Sequence, residues 1–444
     1  MSIFEGRSLF TNSYSIMASY KKIKKIEDDA VKVRVVERLL ELRKQLSAQI
    51  PEKTATQTLL LATWNIREFG ENRLPESSYY IAEIIDHFDI VVIQEVNSKE
   101  LGGLESVLSI LGDNWAYVMS DGVEGSAGGN EAMAFVYNTN KVKFTGLAGE
   151  IVLPDTKLMG GVQFARTPFM VSFRAGWFDF KLCTVHIYYG KDTVKGIYQR
   201  RLKEIQTVSD FLLKRQKSDD VSYILLGDFN IPDTTGEYFN ALVEDRYKTK
   251  GGKDKSKEKF FIPEEIRKHP TDLGHVSHYD QIAFSLKLER NMVLYDDGKQ
   301  QAGAFNFTET VFKPEDWEVY LPYYQESYDK SAANEQETIR KNVAKYEKEL
   351  KQYETDLEQY EKDLAKYEKE LEEYKGKPKQ ERGTKPKAPK APKEPVKPNT
   401  EVSSPEKLFT GSWRTFQMSD HLPLWVELKI DFSDQFLKKQ KTAE

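Results

Sequence analysis

The chain of 444 residues is 39% hydrophobic and 30% charged, with a net charge of −5. The hydrophobic share is low for one compact domain, so part of the chain is expected to lie outside any core. The acidic balance excludes a protein that attracts nucleic acid through a global basic field; a polyanion would have to meet a local patch or bound cations. Cys183 is the only cysteine, which excludes an intrachain disulfide and a cysteine-based zinc centre. No apolar targeting segment opens the sequence and no run of membrane-spanning length follows, so a soluble cytoplasmic protein without a membrane span is expected.

The first element is an amphipathic helix over residues 19–50, its stripe formed by Ile23, Ile26, Ala30, Val33, Val36 and Leu40 and its end set by Pro51. Residues 58–300 then alternate apolar runs with amphipathic stretches. Strands are expected at Leu59–Thr63, Ile90–Ile93, Ala132–Tyr137, Phe169–Phe173, Phe178–Val185, Tyr223–Leu226 and Ile282–Leu286, and helices at Ser78–His87, Leu101–Leu111 and Gly196–Lys217. This is a mixed α/β pattern with a well-stocked core.

The composition then shifts. Tyr346, Tyr353, Tyr360, Tyr367 and Tyr374 recur every seven residues, with Leu350, Leu357, Leu364 and Leu371 each three residues ahead of a tyrosine. That is a heptad stripe on a helix over 334–375, flanked by Glu and Lys. Such a stripe needs cover, from this chain as an intrachain hairpin or from a second copy as a homo-oligomer. Residues 376–400 are rich in Pro and Lys and read as an extended, solvated linker, with a role as a basic strap as the lesser reading. A last strand is expected at Leu424–Ile430. The expected divisions are therefore a helical extension (1–55), a core (56–310), a helical and linker insertion (311–400) and a core completion (401–444).

Five polar signals sit at the ends of expected strands, where α/β scaffolds hold functional groups. They are Asn65 and Arg67 in ATWNIREFGE; Glu95 in DIVVIQEV; Glu131 in NEAMAFVY with His186 in CTVHIYY; Asp228 and Asn230 in LLGDFNIP; and Asp280 in HYDQIAF with Asp420 and His421 in QMSDHLPL. Singly, each has a bland reading as a turn former, a solvated carboxylate or a hydrogen-bonded structural histidine. Together they suit phosphoester hydrolysis. Asn65, Glu95, Asp228, Asn230 and Asp420 offer the oxygen ligands that Mg²⁺ or Mn²⁺ prefers. His186, His421 and Arg67 or Arg166 suit phosphate oxygens. Glu131 and Asp280 are free to fix the tautomers of the histidines.

In this order the motifs WNIREFGE, DIVVIQEV, EAMAFVY, ARTP, VHI, GDFN, YDQI and SDH resemble the endonuclease/exonuclease/phosphatase superfamily, and within it the pancreatic deoxyribonuclease branch. The resemblance runs over about 58–290 and 410–430. It implies a four-layer αββα sandwich of two packed mixed sheets, here carrying a coiled-coil-like insertion, and a metal-dependent nuclease with nucleic acid as partner. It also implies roles: Asn65 and Glu95 as metal ligands with Asp420 beside them; Asp228 and Asn230 orienting the attacking water; His186 and His421 holding the scissile phosphate and moving protons. Glu131 and Asp280 are then the partners of the two histidines, and Arg67 and Arg166 the phosphate contacts.

Some positions depart from that branch. Asn97 replaces an arginine and Gly129 a tyrosine that enter the DNA minor groove, and Gln281 replaces an arginine. These changes keep open a phosphatase or phosphodiesterase of small-molecule or lipid phosphates. His269, His275 and His278 cluster before Asp280 but read as a polar loop rather than a zinc site, and the glycine-rich 122–130 matches no phosphate-binding loop.

Overall fold

In the computed structural model of the chain, the residues described are 5–6, 18–122, 130–154, 163–190, 195–219, 221–243, 260–285 and 301–442. Gly129 in the glycine-rich segment, and Leu286 at the end of an expected strand, lie outside them. The chain divides into two compact units, Met1–Lys313 with Arg414–Glu444, and Pro314–Trp413.

The first unit holds two mixed sheets. One has the order β1 (Glu5–Gly6), β4 (Trp115–Met119), β5 (Glu131–Asn138), β3 (Ile90–Asn97), β2 (Thr58–Phe69), β12 (Leu424–Lys429), β11 (Ala302–Ala304). The other has the order β10 (Asp280–Ser285), β9 (Ser222–Asp228), β8 (Phe178–His186), β7 (Phe169–Ala175), β6 (Val142–Glu150). The pairs β2–β3 and β8–β9 are parallel and the other pairs antiparallel. Val92 and Phe135 of the first sheet share one buried cluster with Leu182, Ile224 and Ile282 of the second, so the sheets pack face to face.

Helices cover the outer faces. α1 (Asp29–Gln49), α2 (Pro75–Asp86) and α3 (Gly102–Leu111) pack in series beside the first sheet, and α4 (Lys195–Gln216) packs on β9 with α5 (Glu237–Val243) against it. With both faces covered, β2, β3, β5 and β9 read as nearly unbroken apolar runs rather than alternating ones. The result is a four-layer αββα sandwich, completed by α6 (Glu264–Arg267) and, from the last stretch of chain, α9 (Arg414–Gln417) and α10 (Ser433–Thr442).

The first helix differs from expectation in phase. A short 3₁₀ turn (Lys21–Lys25) comes first, and α1 begins only after Asp28, whose carboxylate caps Ala30 N and Val31 N. That break decouples Ile23 from the helix. The buried stripe is Val35, Leu39, Leu42 and Leu46, whereas Val33 and Leu40 are 54% and 62% exposed. The competing stripe wins because three of its four members are leucines and it runs the length of the helix. β1, β4, β6 and β11 are strands beyond those expected. β6 is a half-exposed edge carrying Gly146 and Gly149, and β11 is only three residues long, so neither shows a two-residue alternation.

In the second unit, α7 (Trp317–Gly376) starts well before the heptads and includes Pro322. The unit runs on through α8 (Pro405–Leu408) to Trp413, past the boundary expected at residue 400. Phe409 and Trp413 pack on Tyr320 and Tyr324 at ring separations of 5.1–6.0 Å, which ties the returning chain to the base of α7.

Gly227 fixes the spacing of the central strands of the second sheet. It adopts φ +127°, and a Cβ there would meet the Val185 carbonyl oxygen at 2.2 Å. Gly227→Ala is expected to cost at least about 3 kcal/mol through backbone strain and a forced separation of β8 from β9, read as a lower denaturation midpoint in urea.

Candidate active site

Strand register assembles the site. β8–β9 pairing sets His186 beside Asp228, and β9–β10 pairing sets Asp228 beside Asp280, so the three stand in one row across the second sheet. The first sheet supplies the opposite wall. There the register shifts between Ile93 and Val96 of β3 and between Asn65 and Phe69 of β2. The shifts coincide with left-handed backbone at Glu95 (φ 62°) and Glu68 (φ 44°). Gln94 turns between the sheets, its Nε2 donating to Thr63 Oγ1 (3.1 Å) and Thr184 Oγ1 (3.0 Å). Glu95 is thereby lifted to the strand end, where its carboxylate accepts from Asn65 Nδ2 (3.0 Å) and Glu68 N (2.9 Å).

Asp228 Oδ2 lies at the centre. It accepts from Asn65 Nδ2 (3.1 Å) and faces His186 Nε2 at 3.5 Å and His421 Nε2 at 3.9 Å. Its other oxygen accepts the Asn230 N–H (2.8 Å), which holds Asn230 at φ 53° while the Asn230 amide donates to Ile187 O (2.8 Å). Each histidine has a carboxylate behind it: Glu131 Oε2 lies 3.1 Å from His186 Nδ1, and Asp280 Oδ2 lies 2.7 Å from His421 Nδ1. His421 Nδ1 is hydrogen-bonded to Asp280 and His186 Nδ1 lies within ion-pair distance of Glu131, and in both rings Nε2 faces Asp228.

The charges follow from these contacts. Burial works to raise the Glu131 carboxyl, but the contacts and charges of His186 and Arg166 prevail and hold it at about 2. Arg166 binds both Glu131 oxygens through Nε and Nη2. Burial opposes its charge, yet Glu131 raises its pKa. Burial also weighs against charge on His421, but Asp280 and Asp228 raise it well above the ordinary imidazole value. The buried Asp280 carboxyl is itself raised, first by desolvation.

Nine of the eleven residues singled out from sequence form this connected set. Asp420 is exposed at its rim, close enough for its charge to help raise His421. Arg67 points elsewhere: its Nη1 donates to Thr415 Oγ1 (2.5 Å) and its guanidinium stacks 4.4 Å from Phe416, both on α9. Three supporting residues escaped the sequence reading. The Ser419 hydroxyl donates to Asn65 O (2.5 Å) and accepts the His421 N–H (2.9 Å), joining the β2 end to the segment before β12 within the first sheet. Its position two residues before His421 is a serine-turn cue that could have been used. Thr271 Oγ1 accepts the Asp280 N–H (3.1 Å). Arg73 clamps the β2 loop by donating to the carbonyls of Glu68 (2.9 Å) and Arg67, and burial lowers its pKa to about 10; nothing in its surrounding sequence marks it.

Asn65 Oδ1 is buried without a partner, next to the Glu95 carboxylate. Two oxygen donors so placed fit a hard divalent cation. Asp228, Asp280 and His421 also converge within 4.8 Å, but His421 Nδ1 and Asp280 Oδ2 are already engaged with each other at 2.7 Å, although Asp280 Oδ1 is buried without a partner. The cluster of His269, His275 and His278 brings no compact ligand set together among the described residues.

The family model of the Endonuclease/Exonuclease/phosphatase family matches residues 62–279, which contain this wall-to-wall arrangement except for the Asp280–His421 side. This segment, just under half of the chain, belongs to the endonuclease/exonuclease/phosphatase family. Members are hydrolases of phosphodiester or phosphate bonds and generally depend on a divalent metal. The chain is similar to deoxyribonuclease-1 of Rattus norvegicus, at 28% identity over 180 residues, which are 39% of this chain and 60% of that protein. The chain thus spans about three-fifths of the length of such curated relatives. Among solved structures it is similar to a Bacteroides thetaiotaomicron mannosyl-6-phosphatase (18% identity, TM-score 0.40, 56% of this chain and 89% of that one). The human Nocturnin catalytic domain is another (16% identity, TM-score 0.38, 54% and 84%).

Glu131→Gln is expected to free Arg166, unseat His186 and lower the rate of phosphoester hydrolysis by about 10²-fold or more, the scale of an acid–base contribution. Its circular dichroism spectrum should match that of the parent.

Proposed function

We propose that this family hydrolase is a divalent-metal-dependent nuclease that cleaves phosphodiester bonds of DNA or RNA by attack of an activated water. The observation that carries the reading is Asp228 Oδ2, buried between the Nε2 atoms of two carboxylate-backed histidines and facing Asn65. Asp228 orients the attacking water and accepts its proton, with the Asn230 N–H holding the carboxylate in place. His186 and His421 bind the scissile phosphate, and one returns a proton to the leaving oxygen as the P–O bond breaks. A raised pKa suits His421 to donate. Arg166, through Glu131, keeps positive charge beside the phosphate. Asn65 and Glu95, with Asp420 at the rim, would hold Mg²⁺ or Mn²⁺. When bound, the ion supplies Lewis-acid stabilisation of charge on the phosphate. A cytoplasmic setting belongs to the same proposal.

A second reading, hydrolysis of small-molecule or lipid phosphates, is favoured by Asn97. Its side chain folds back on its own loop, Oδ1 accepting the Lys99 N–H (3.1 Å), instead of reaching outward as a groove contact would.

Plasmid and single-strand cleavage should require Mg²⁺ or Mn²⁺, stop in EDTA, and fall by at least about 10³-fold in Asp228→Ala and His186→Ala, since each removes a member of one catalytic unit. The same preparations would be run against inositol phosphates, sphingomyelin and nucleotides. Turnover there, lost in both variants, with nucleic acid left uncut would replace the nuclease reading by the second one.

A further inference from the structure

The tyrosine and leucine stripe of α7 is half-buried along its length, while the rest of the helix surface over 344–376 is exposed. A bare stripe would be exposed as well. Pro386, Pro389, Pro392, Pro395 and Pro398 show the complementary pattern: each is half-buried, and every residue between them is exposed. Proline at every third position is one face of a polyproline II helix, which turns once in three residues.

The two patterns meet. Tyr353, with Gln352 and Asp356, lines one cleft together with Pro392, Pro395 and Val396. Arg382 stacks 5.6 Å from the ring of Tyr374. Its Nη2 donates to Lys375 O (2.8 Å), which closes the turn at the tip. At the other end Ser403 N and Oγ donate to the Glu335 carboxylate (2.9 and 3.1 Å). The rises agree with this antiparallel pairing. Tyr353 to Tyr374 covers about 32 Å of α-helix, and Arg382 to Pro392 about 31 Å of polyproline strand. Locally, seven helical residues advance about 10.5 Å and three polyproline residues about 9.3 Å, so one proline arrives per heptad.

Charge points the same way. The positions on either side of the stripe are acidic over four heptads, from Glu347 and Glu349 to Glu368 and Glu370. The strand between 385 and 398 carries Lys385, Lys387, Lys390, Lys393 and Lys397 against one acid, Glu394. A parallel coiled coil with a second copy would set those acidic rows against each other.

We infer that the Tyr/Leu groove of α7 is a recognition site for a lysine-bearing polyproline II strand, and that residues 385–398 of this chain occupy it in cis. Aromatic rings flanked by acids are a receptor for such a strand because its prolines are already extended and lose little entropy on docking. Intramolecular linkage supplies an effective concentration in the millimolar range, which keeps the groove filled.

The test uses the full chain in which 385–398 is replaced by a Gly/Ser segment of equal length, with a fluorescent peptide of sequence 385–398 as probe. The peptide should bind this variant at least 10-fold more tightly than it binds the parent, and binding should weaken as salt rises. The parent should be monomeric by light scattering. A second chain that adds Tyr360→Ala and Tyr367→Ala to the replacement, at half-buried positions of a helix that the other residues maintain, should lose the peptide while keeping its helical circular dichroism. Equal peptide binding by parent and variant, no binding by the variant, or a dimeric parent that Tyr360→Ala and Tyr367→Ala, introduced into the parent alone, turn into a monomer would each overturn the inference. Hydrolysis of a chromogenic phosphodiester in each of these chains checks that the first unit is folded, independently of which natural substrate it uses.

Discussion

The row His186–Asp228–Asp280 is the constraint on which the rest of the first unit depends. It exists because β8, β9 and β10 pair in one register, and a slip of a single residue would send each side chain to the other face. Gly227 permits the close approach of β8 and β9 immediately before Asp228. A buried carboxylate is expensive unless it is met by donors. Asp228 is met by Asn65, Asn230 and the two histidines, and these charge-assisted contacts offset its desolvation.

Around that row the backbone is held in uncommon conformations. Glu68, Glu95 and Asn230 all have positive φ, and each has an oxygen or nitrogen engaged at the same strand ends. Such positions persist only where neighbours over-determine them. Arg73 pins the Glu68 side through backbone carbonyls, Ser419 bridges Asn65 to His421, and Arg201 Nη1 donates to the carbonyl of Asn230 (3.1 Å). The rigid two-sheet core beneath lets a bulge aim Glu95 at Asn65, where a regular strand would have sent it to the helix layer.

The second unit is built on other physics. It has little core of its own beyond the aromatic cluster of Tyr320, Tyr324, Phe409 and Trp413. Its length is organised by the agreement of two rises, one of an α-helix and one of a polyproline strand. Proline, poor inside the helix, suits the strand because its fixed φ leaves little conformational freedom to lose.

The αββα class, eight of the strands and the motif residues were legible in the sequence, because fully covered strands read as apolar runs and chemistry-bearing residues cluster at their ends. Tertiary structure decided what spacing cannot express. It alone chose between two apolar stripes on α1, since both obey the helical period. It turned Arg67 onto Thr415 and Phe416, and recruited Arg73 and Thr271, because hydrogen bonds across distant segments leave no local pattern. It also gave the linker a partner. Proline at every third residue was present in the sequence from the start, but only the half-burial of those prolines and of the heptad tyrosines shows that the two periodicities share one axis.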